Sequence, residues 1–312
     1  MSESEQLPLP SAPDENTIVE PKKVTRTRSK KTANELEGRD WQRHSISVWS
    51  DVRKTAEELR LKHPALFPIE LVMRLIRCFT NASDKIVLDP FTGVGTTPIA
   101  AELLGKIGIG IDLSPVFTER AKKRQIAFDM GFDDDGNQKG KMFNGVPLPE
   151  AGGERKIYRD DARNVLNYVD PGEVDLIVTS PPYWDILLRN RSADQKDIRH
   201  YGEEDHDLGK ISDYTEFIDS LQEVFANSFE ALGPGKYCIV IVMDIRKKDQ
   251  FFPLHIDVTQ MMAKTGFVLD DMIIWDRRHE YNNMRPLGYP YKFRINKAHE
   301  FILIFQKPSV GG

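Results

Sequence analysis

Beyond Trp41 the chain alternates between short apolar runs bounded by turn residues and longer stretches whose apolar residues recur at helical spacing. No other feature narrows the possible folds as much. The apolar runs Ile86 to Leu88, Ile107 to Ile111, Lys156 to Tyr158, Val174 to Thr179, Tyr237 to Met243, Val268 to Trp275 and Glu300 to Phe305 predict strands. The stretches Pro68 to Thr80, Thr97 to Leu104, Pro115 to Ala127, Ile211 to Leu232 and Leu254 to Thr265 predict helices. Strands that alternate with helices imply a largely parallel sheet covered on both faces, here an α/β fold around a mixed sheet of seven strands. Such sheets bind ligands at the carboxyl ends of their strands. Two segments fit no regular element: Phe128 to Arg155, rich in Gly and Asp, and Asp185 to Lys210, dense in charge.

Residues 1–40 are polar, rich in Ser, Pro, Glu and Lys, and too poor in apolar residues to offset the entropy of ordering, so a disordered tail is expected ahead of a single domain at 41–312. Pro21 to Lys31 carries six basic residues and no acidic one, a composition that suits either a phosphate backbone or plain solvation. No run of about 18 apolar residues and no signal-peptide core is present, and a cytoplasmic protein is expected. A net charge of −5 argues against a protein that coats nucleic acid nonspecifically, so any such contact must use a local patch. Cys78 and Cys238 are the only cysteines and form no pair with metal-ligand or redox spacing. Neither a disulfide framework nor a bound metal is expected.

The segment LDPFTGVGTT, Leu88 to Thr97, places Asp89 at a strand end and follows it with Gly93 and Gly95 just before a helix. Glycines there let the backbone turn sharply and approach a ligand. A GxG after a strand serves dinucleotide sites and ligand-free turns alike, but Thr97 stands where the third glycine of the dinucleotide fingerprint belongs, which disfavours phosphate cradling. The next strand ends at Asp112, whose carboxylate can accept from both hydroxyls of a ribose. A third acidic site follows in YRDDARN, where Asp161 or Asp160 can accept from an adenine amino group. One strand-end carboxylate is commonly just solvated; three in succession favour a nucleoside site.

DPFTGVGTT with a following GIGID, preceded by HPALFPIELVMRLI, resembles the cofactor motifs of the DNA amino-methyltransferases, and the resemblance covers most of the chain from His63 to Lys307. It implies a Rossmann-like fold that binds S-adenosylmethionine. The methionine part is then expected near Asp89, Phe91, Gly93 and Gly95, the ribose on Asp112 and the adenine near Asp161, with Phe67 and Pro68 at the pocket edge. In this family the DPFxGxGTT form is more familiar where the catalytic motif comes first, so the order seen here implies a circular permutation of that arrangement.

The second motif is VDLIVTSPPYWDI, an apolar strand that runs into Ser180, Pro181, Pro182 and Tyr183. Two prolines fix the backbone and remove two amide donors, leaving rigid carbonyls that can face a ligand. The exocyclic amino group of cytosine or adenine is a poor nucleophile because its lone pair is delocalised into the ring. Acceptors around that amino group, the Ser180 side chain and the Pro181 carbonyl, would favour a pyramidal nitrogen aimed at a sulfonium methyl. Tyr183, aided by Trp184, offers an aromatic face for a base rotated out of the duplex. Ser180-Pro181-Pro182-Tyr183 matches the SPPY form of the same family, in which Ser is usual in cytosine enzymes and Asp or Asn in adenine enzymes. Methylation at a ring carbon is disfavoured, because neither cysteine follows a proline as the nucleophile of that chemistry does.

Between Asp276 and Lys297, the basic residues Arg277, Arg278, Arg285, Lys292, Arg294 and Lys297 are interleaved with Tyr281, Tyr289, Tyr291 and Phe293, a mixture suited to double-stranded DNA, with about half of the aromatics expected in the core. Recognition loops are expected at 185–210 and 276–297. The leading function is methylation of cytosine N4 in duplex DNA, protecting sites against a companion restriction endonuclease. Adenine N6 or an RNA substrate is the alternative with the same machinery, and a catalytically silent protein that binds cofactor and DNA is a third reading.

Overall fold

The computed structural model describes residues 32–61, 66–132, 135, 138–185, 207–247, 249–280 and 286–309. The basic run at 21–31, most of the 185–210 segment, Tyr281 and Arg285 lie outside the described residues. The elements begin with α1 (Gly38–His44), β1 (Val48–Trp49), α2 (Ala56–Arg60), α3 (Ile69–Phe79), β2 (Ile86–Asp89), α4 (Thr96–Leu103), β3 (Ile107–Asp112) and α5 (Pro115–Lys123). There follow β4 (Asp129–Phe132), β5 (Gln138–Phe143), β6 (Val146–Pro147), β7 (Glu154–Arg159), β8 (Val174–Thr179), α6 (Tyr214–Ala231) and β9 (Leu232–Val242). The chain closes with β10 (Ile245–Lys247), β11 (Gln250–Phe252), α7 (Leu254–Thr265), β12 (Val268–Asp276) and β13 (His299–Gln306).

The main sheet has the order β1-β12-β13-β9-β8-β2-β3-β7. Pairing is parallel from β9 through β8, β2 and β3 to β7, whereas β13 lies antiparallel between β9 and β12. All seven predicted strands are in it. The eighth, β1, pairs parallel with β12 through Val48 and Trp49 alone, too short a segment to carry a detectable alternation.

Because successive side chains on a strand point to opposite faces, β8 and β9 divide their apolar residues between two cores. Ile177, Val240 and Val242 face α6 and α7, while Leu176, Val178, Ile239 and Ile241 face α3 and α4. Helix α6 buries Phe217, Leu221, Val224, Phe225 and Ser228 along one stripe, and Asp213 caps it by accepting from the Glu216 amide. Full burial of an aromatic such as Phe217 or Phe225 is worth about 1.5–3 kcal/mol. Thr55 and Glu58 form a capping box on α2, and the second Glu58 oxygen accepts from the Ile69 amide at 2.6 Å, so one buried carboxylate starts both α2 and α3.

Two expectations need correction. The packed chain begins before residue 40: Asn34 and Leu36 are buried, Asn34 donates to the Cys78 carbonyl, and Asp40 on α1 pairs with Arg77. Their apolar contribution is one leucine, which is why composition alone missed it. The segment from Phe128 to Arg155 is not irregular throughout, since β4, β5 and β6 form a three-stranded antiparallel sheet and β7 follows. The glycines that obscured its alternation lie partly inside these strands, Gly131 in β4 and Gly140 in β5.

Candidate active site

In the main sheet β3 and β7 lie on one side of β2 and β8 and β9 on the other, so the strand order reverses at β2 and opens a crevice at the ends of β2 and β8. Asp89 ends β2 and Thr179 ends β8, and the Thr179 hydroxyl donates to Asp89 Oδ1 at 2.6 Å. The same oxygen accepts from the Phe91 amide at 3.0 Å, which turns the chain away from the strand. Asp89 Oδ2 is buried with no hydrogen-bond partner among the described residues, and burial pushes the carboxyl up to about 7. A buried carboxylate oxygen left over in this way suits a cationic or hydrogen-bond-donating ligand.

Gly93 and Gly95 both have positive φ, 53° and 82°. Gly95 precedes the first turn of α4, and a Cβ there would lie 2.9 Å from that of Ala121, so both the conformation and the close approach of α5 require glycine. The Gly93 amide donates to Asp112 Oδ2 at 2.8 Å, and the Ser114 amide donates to Oδ1 at 2.9 Å. Each Asp112 oxygen thus keeps one lone pair for a ligand hydroxyl. Burial pushes Asp112 up to about 6, against the opposing effect of these two amides. Leu66, which precedes Phe67 and Pro68, packs against Val94 and Phe117, placing those two residues beside the glycine turn. Phe67 is buried in the α3 core, and Phe91 rests half-buried on the opposite core with Phe225.

Asp161 follows β7, but its carboxylate is held in a fork by Arg163, with Nε at 3.0 Å and Nη2 at 2.6 Å. Asp160 accepts from Asn164 at 2.9 Å and from the Tyr168 hydroxyl at 2.8 Å. Both acidic side chains at the third strand end therefore have protein partners, which the sequence did not reveal.

At the end of β8, Ser180 Oγ lies 3.1 Å from the Tyr183 hydroxyl, which donates to Glu300 Oε2 at 3.0 Å. Glu300 is buried at the start of β13, and its other oxygen accepts from Arg277, which also binds Glu280; Glu280 in turn pairs with Lys54 at 3.1 Å. Sequence reasoning missed Glu300. The signal was a lone carboxylate directly before the apolar run Phe301 to Phe305 of the strand HEFILIFQ. The expectation that Trp184 helps stack a base is overturned: its φ of 51° turns the indole into the core among Tyr214 and Phe252, under the Lys247 ammonium at 3.4 Å.

The proposed DNA residues separate into two kinds. Arg277 is not available to DNA, since its guanidinium spans Glu300 and Glu280 over the Trp275 ring. Arg278 is 80% exposed, paired with Asp276 in a fork, and Lys292 and Arg294 both pair with the exposed Asp249. Tyr289, Tyr291, Phe293 and Ile295 are all strongly exposed, Phe293 at 96%, so these three aromatics are not core residues. Among the described residues no helix is long and apolar enough to cross a membrane.

Several known proteins resemble this chain in sequence. A segment of the chain is 41% identical over 78 residues to the type II methyltransferase M2.LlaDCHI of Lactococcus lactis subsp. cremoris, covering 25% of this chain and 29% of that enzyme. A longer match, 27% identical over 168 residues, joins 49% of this chain to 55% of the type II methyltransferase M.MjaI of Methanocaldococcus jannaschii. The chain thus spans less than two thirds of the length of these curated relatives. The Thermus thermophilus protein TTHA0409, solved in complex with S-adenosyl-L-methionine, is 30% identical over 48% of this chain and 52% of its own, with a TM-score of 0.34. The N6/N4 family model described as DNA methylase matches residues 9–123 and 174–311, and the chain belongs to that DNA methylase family.

Proposed function

We propose that this protein is a DNA methyltransferase that transfers a methyl group from S-adenosylmethionine to N4 of cytosine in duplex DNA. The observation that carries the reading is the Thr179–Asp89 hydrogen bond, which joins the end of the cofactor strand directly to the residue before Ser180. The cofactor supplies an electrophilic sulfonium methyl. The protein's own part is positional: Asp112 accepts from the ribose hydroxyls with its remaining lone pairs, and the unpartnered Asp89 oxygen accepts from the methionine end. Gly93 and Gly95 let the backbone approach the ligand, Phe91 lies beside the methionine part, and Phe67 and Pro68 border the pocket. Asp161 reads the adenine only through lone pairs that Arg163 leaves unused.

Ser180 and the Pro181 carbonyl accept from the target amino group, Pro182 holds the turn rigid, and the half-buried Tyr183 ring supports the extruded base. Arg278, Lys292 and Arg294, with the exposed Tyr289, Tyr291 and Phe293, form the DNA surface; Arg285 is assigned to it from the sequence alone. Ser180 favours cytosine over adenine through the family resemblance, and the similarity to type II methyltransferases suits a role within a restriction-modification system, with a companion endonuclease and a cytoplasmic location as part of this proposal. Incubation of the protein with unmethylated genomic DNA and labelled cofactor, followed by nucleoside mass spectrometry, tests this. N4-methylcytosine is expected; N6-methyladenine alone would overturn the cytosine assignment and leave the amino-methylation reading standing.

A further inference from the structure

The Tyr183 phenol has one hydrogen and, among the described residues, three polar neighbours: Ser180 Oγ at 3.1 Å, Glu300 Oε2 at 3.0 Å and the Ile241 carbonyl at 3.5 Å. The carboxylate and the carbonyl can only accept. The shorter and charge-assisted partner is Glu300, so the phenol hydrogen goes there. The Tyr183 oxygen then accepts, and the donor facing it is the Ser180 hydroxyl. We infer that Glu300 is a positioning residue that sets the direction of this hydrogen-bond chain and so makes Ser180 present lone pairs, not a proton, to the target amino group.

The inference rests on the reading of Ser180 as the acceptor for that group. Its physical content is a choice between two states of one hydroxyl. With its proton pointing inward to Tyr183, Ser180 Oγ accepts from an incoming amino group; with its proton pointing outward, it opposes a donor with a donor. Arg277 makes the choice firm. The guanidinium has donors only, and it holds the second Glu300 oxygen, which fixes the carboxylate with its remaining oxygen toward Tyr183. Burial, and next the Glu300 charge, push the Tyr183 hydroxyl well above its usual value, so the phenol keeps the proton the chain requires.

Two substitutions alter only groups of the hydrogen-bond chain that the proposed function keeps off the substrate, the Tyr183 hydroxyl and the Glu300 carboxylate. Tyr183→Phe keeps the ring and removes the acceptor for the Ser180 hydrogen. Glu300→Gln reverses the chain: Arg277 draws the new carbonyl oxygen, the amide nitrogen turns to Tyr183, and the phenol hydrogen turns to Ser180 at 3.1 Å in preference to Ile241 at 3.5 Å. Each should lower kcat about tenfold, the effect of one well-placed hydrogen bond, with KM for DNA and affinity for S-adenosylmethionine unchanged. Because both act through the same hydroxyl, Glu300→Gln in the Tyr183→Phe background should cost less than twofold more. Wild-type kcat for Tyr183→Phe, or losses that simply multiply in the double variant, overturns the inference. Ser180→Ala separates this from the underlying reading. If its kcat is that of the wild type, Ser180 is not the acceptor and both fall; if it is severely impaired while Tyr183→Phe and Glu300→Gln are not, only the role of Glu300 falls.

Discussion

Asp112→Ala removes a carboxylate whose two oxygens already accept from the Gly93 and Ser114 amides, at 2.8 and 2.9 Å. On the proposed reading the two remaining lone pairs receive the ribose hydroxyls. A hydrogen bond to a charged group contributes roughly 1.5–3 kcal/mol. Loss of one such bond weakens cofactor binding by roughly 10- to 150-fold, and loss of both by more. Burial holds Asp112 up to about 6, which adds a second, independent signature. Since the folded value lies above the ordinary carboxylate value of 3.8, this group stabilises the cofactor-free fold below that ordinary value, and the contribution is lost as pH rises through about 6. Cofactor binding needs the opposite, ionised state. Wild-type affinity measured by calorimetry should therefore fall as pH drops from 8 to 5.5, and Asp112→Ala should be weak at both values with a flatter pH response. Asp112→Asn controls for loss of volume. An alanine variant that binds S-adenosylmethionine like the wild type would refute the ribose assignment.

Asp89→Asn replaces a fully buried carboxylate held up to about 7, so it should raise the melting temperature of the cofactor-free protein at pH 8 while weakening cofactor affinity in a titration. Burial pushes the Cys78 thiol up to about 11 and that of Cys238 further still, so combined Cys78→Ser and Cys238→Ala should leave turnover close to wild type; loss of methyl transfer in a folded variant would contradict this. Arg277→Gln leaves Glu300 and Glu280 without their guanidinium and should lower stability by about 3 kcal/mol in denaturant titration, whereas Arg278→Gln should spare stability and reduce the salt slope of DNA binding by about one. Gly95→Ala forces a side chain into positive φ against Ala121 and should destabilise by roughly 1–3 kcal/mol, read as a shift in unfolding midpoint.

The main sheet was legible because a strand buried on both faces reads as a continuous apolar run, as in Leu176 to Val178 of β8 and Cys238 to Val242 of β9. The strand-end carboxylates were legible for a related reason: Asp89 and Asp112 each interrupt an apolar strand and precede a turn. What stayed hidden depends on which side chains pair, whether near or far along the chain. Nothing in YRDDARN announces that Arg163 folds back onto Asp161, and nothing near Asp276 announces that Arg277 faces inward while its neighbour Arg278 faces solvent. Basic residues look alike in one dimension; their partners, 23 residues away in the case of Arg277 and Glu300, decide their roles. The edge strand β1 and the buried Asn34 were missed because each contributes too little to any local pattern.

Trp184 anchors the chain immediately after the Ser180–Tyr183 turn. Its left-handed backbone drives the indole beneath Lys247, and the adjacent Asp185 carboxylate grips the same ammonium at 3.0 Å. A change introduced beyond residue 185 meets this anchor before it reaches Ser180. On the proposed role of Ser180, a chain altered after residue 185 to suit another target sequence would keep the same amino-group site, because the anchor stands between the two.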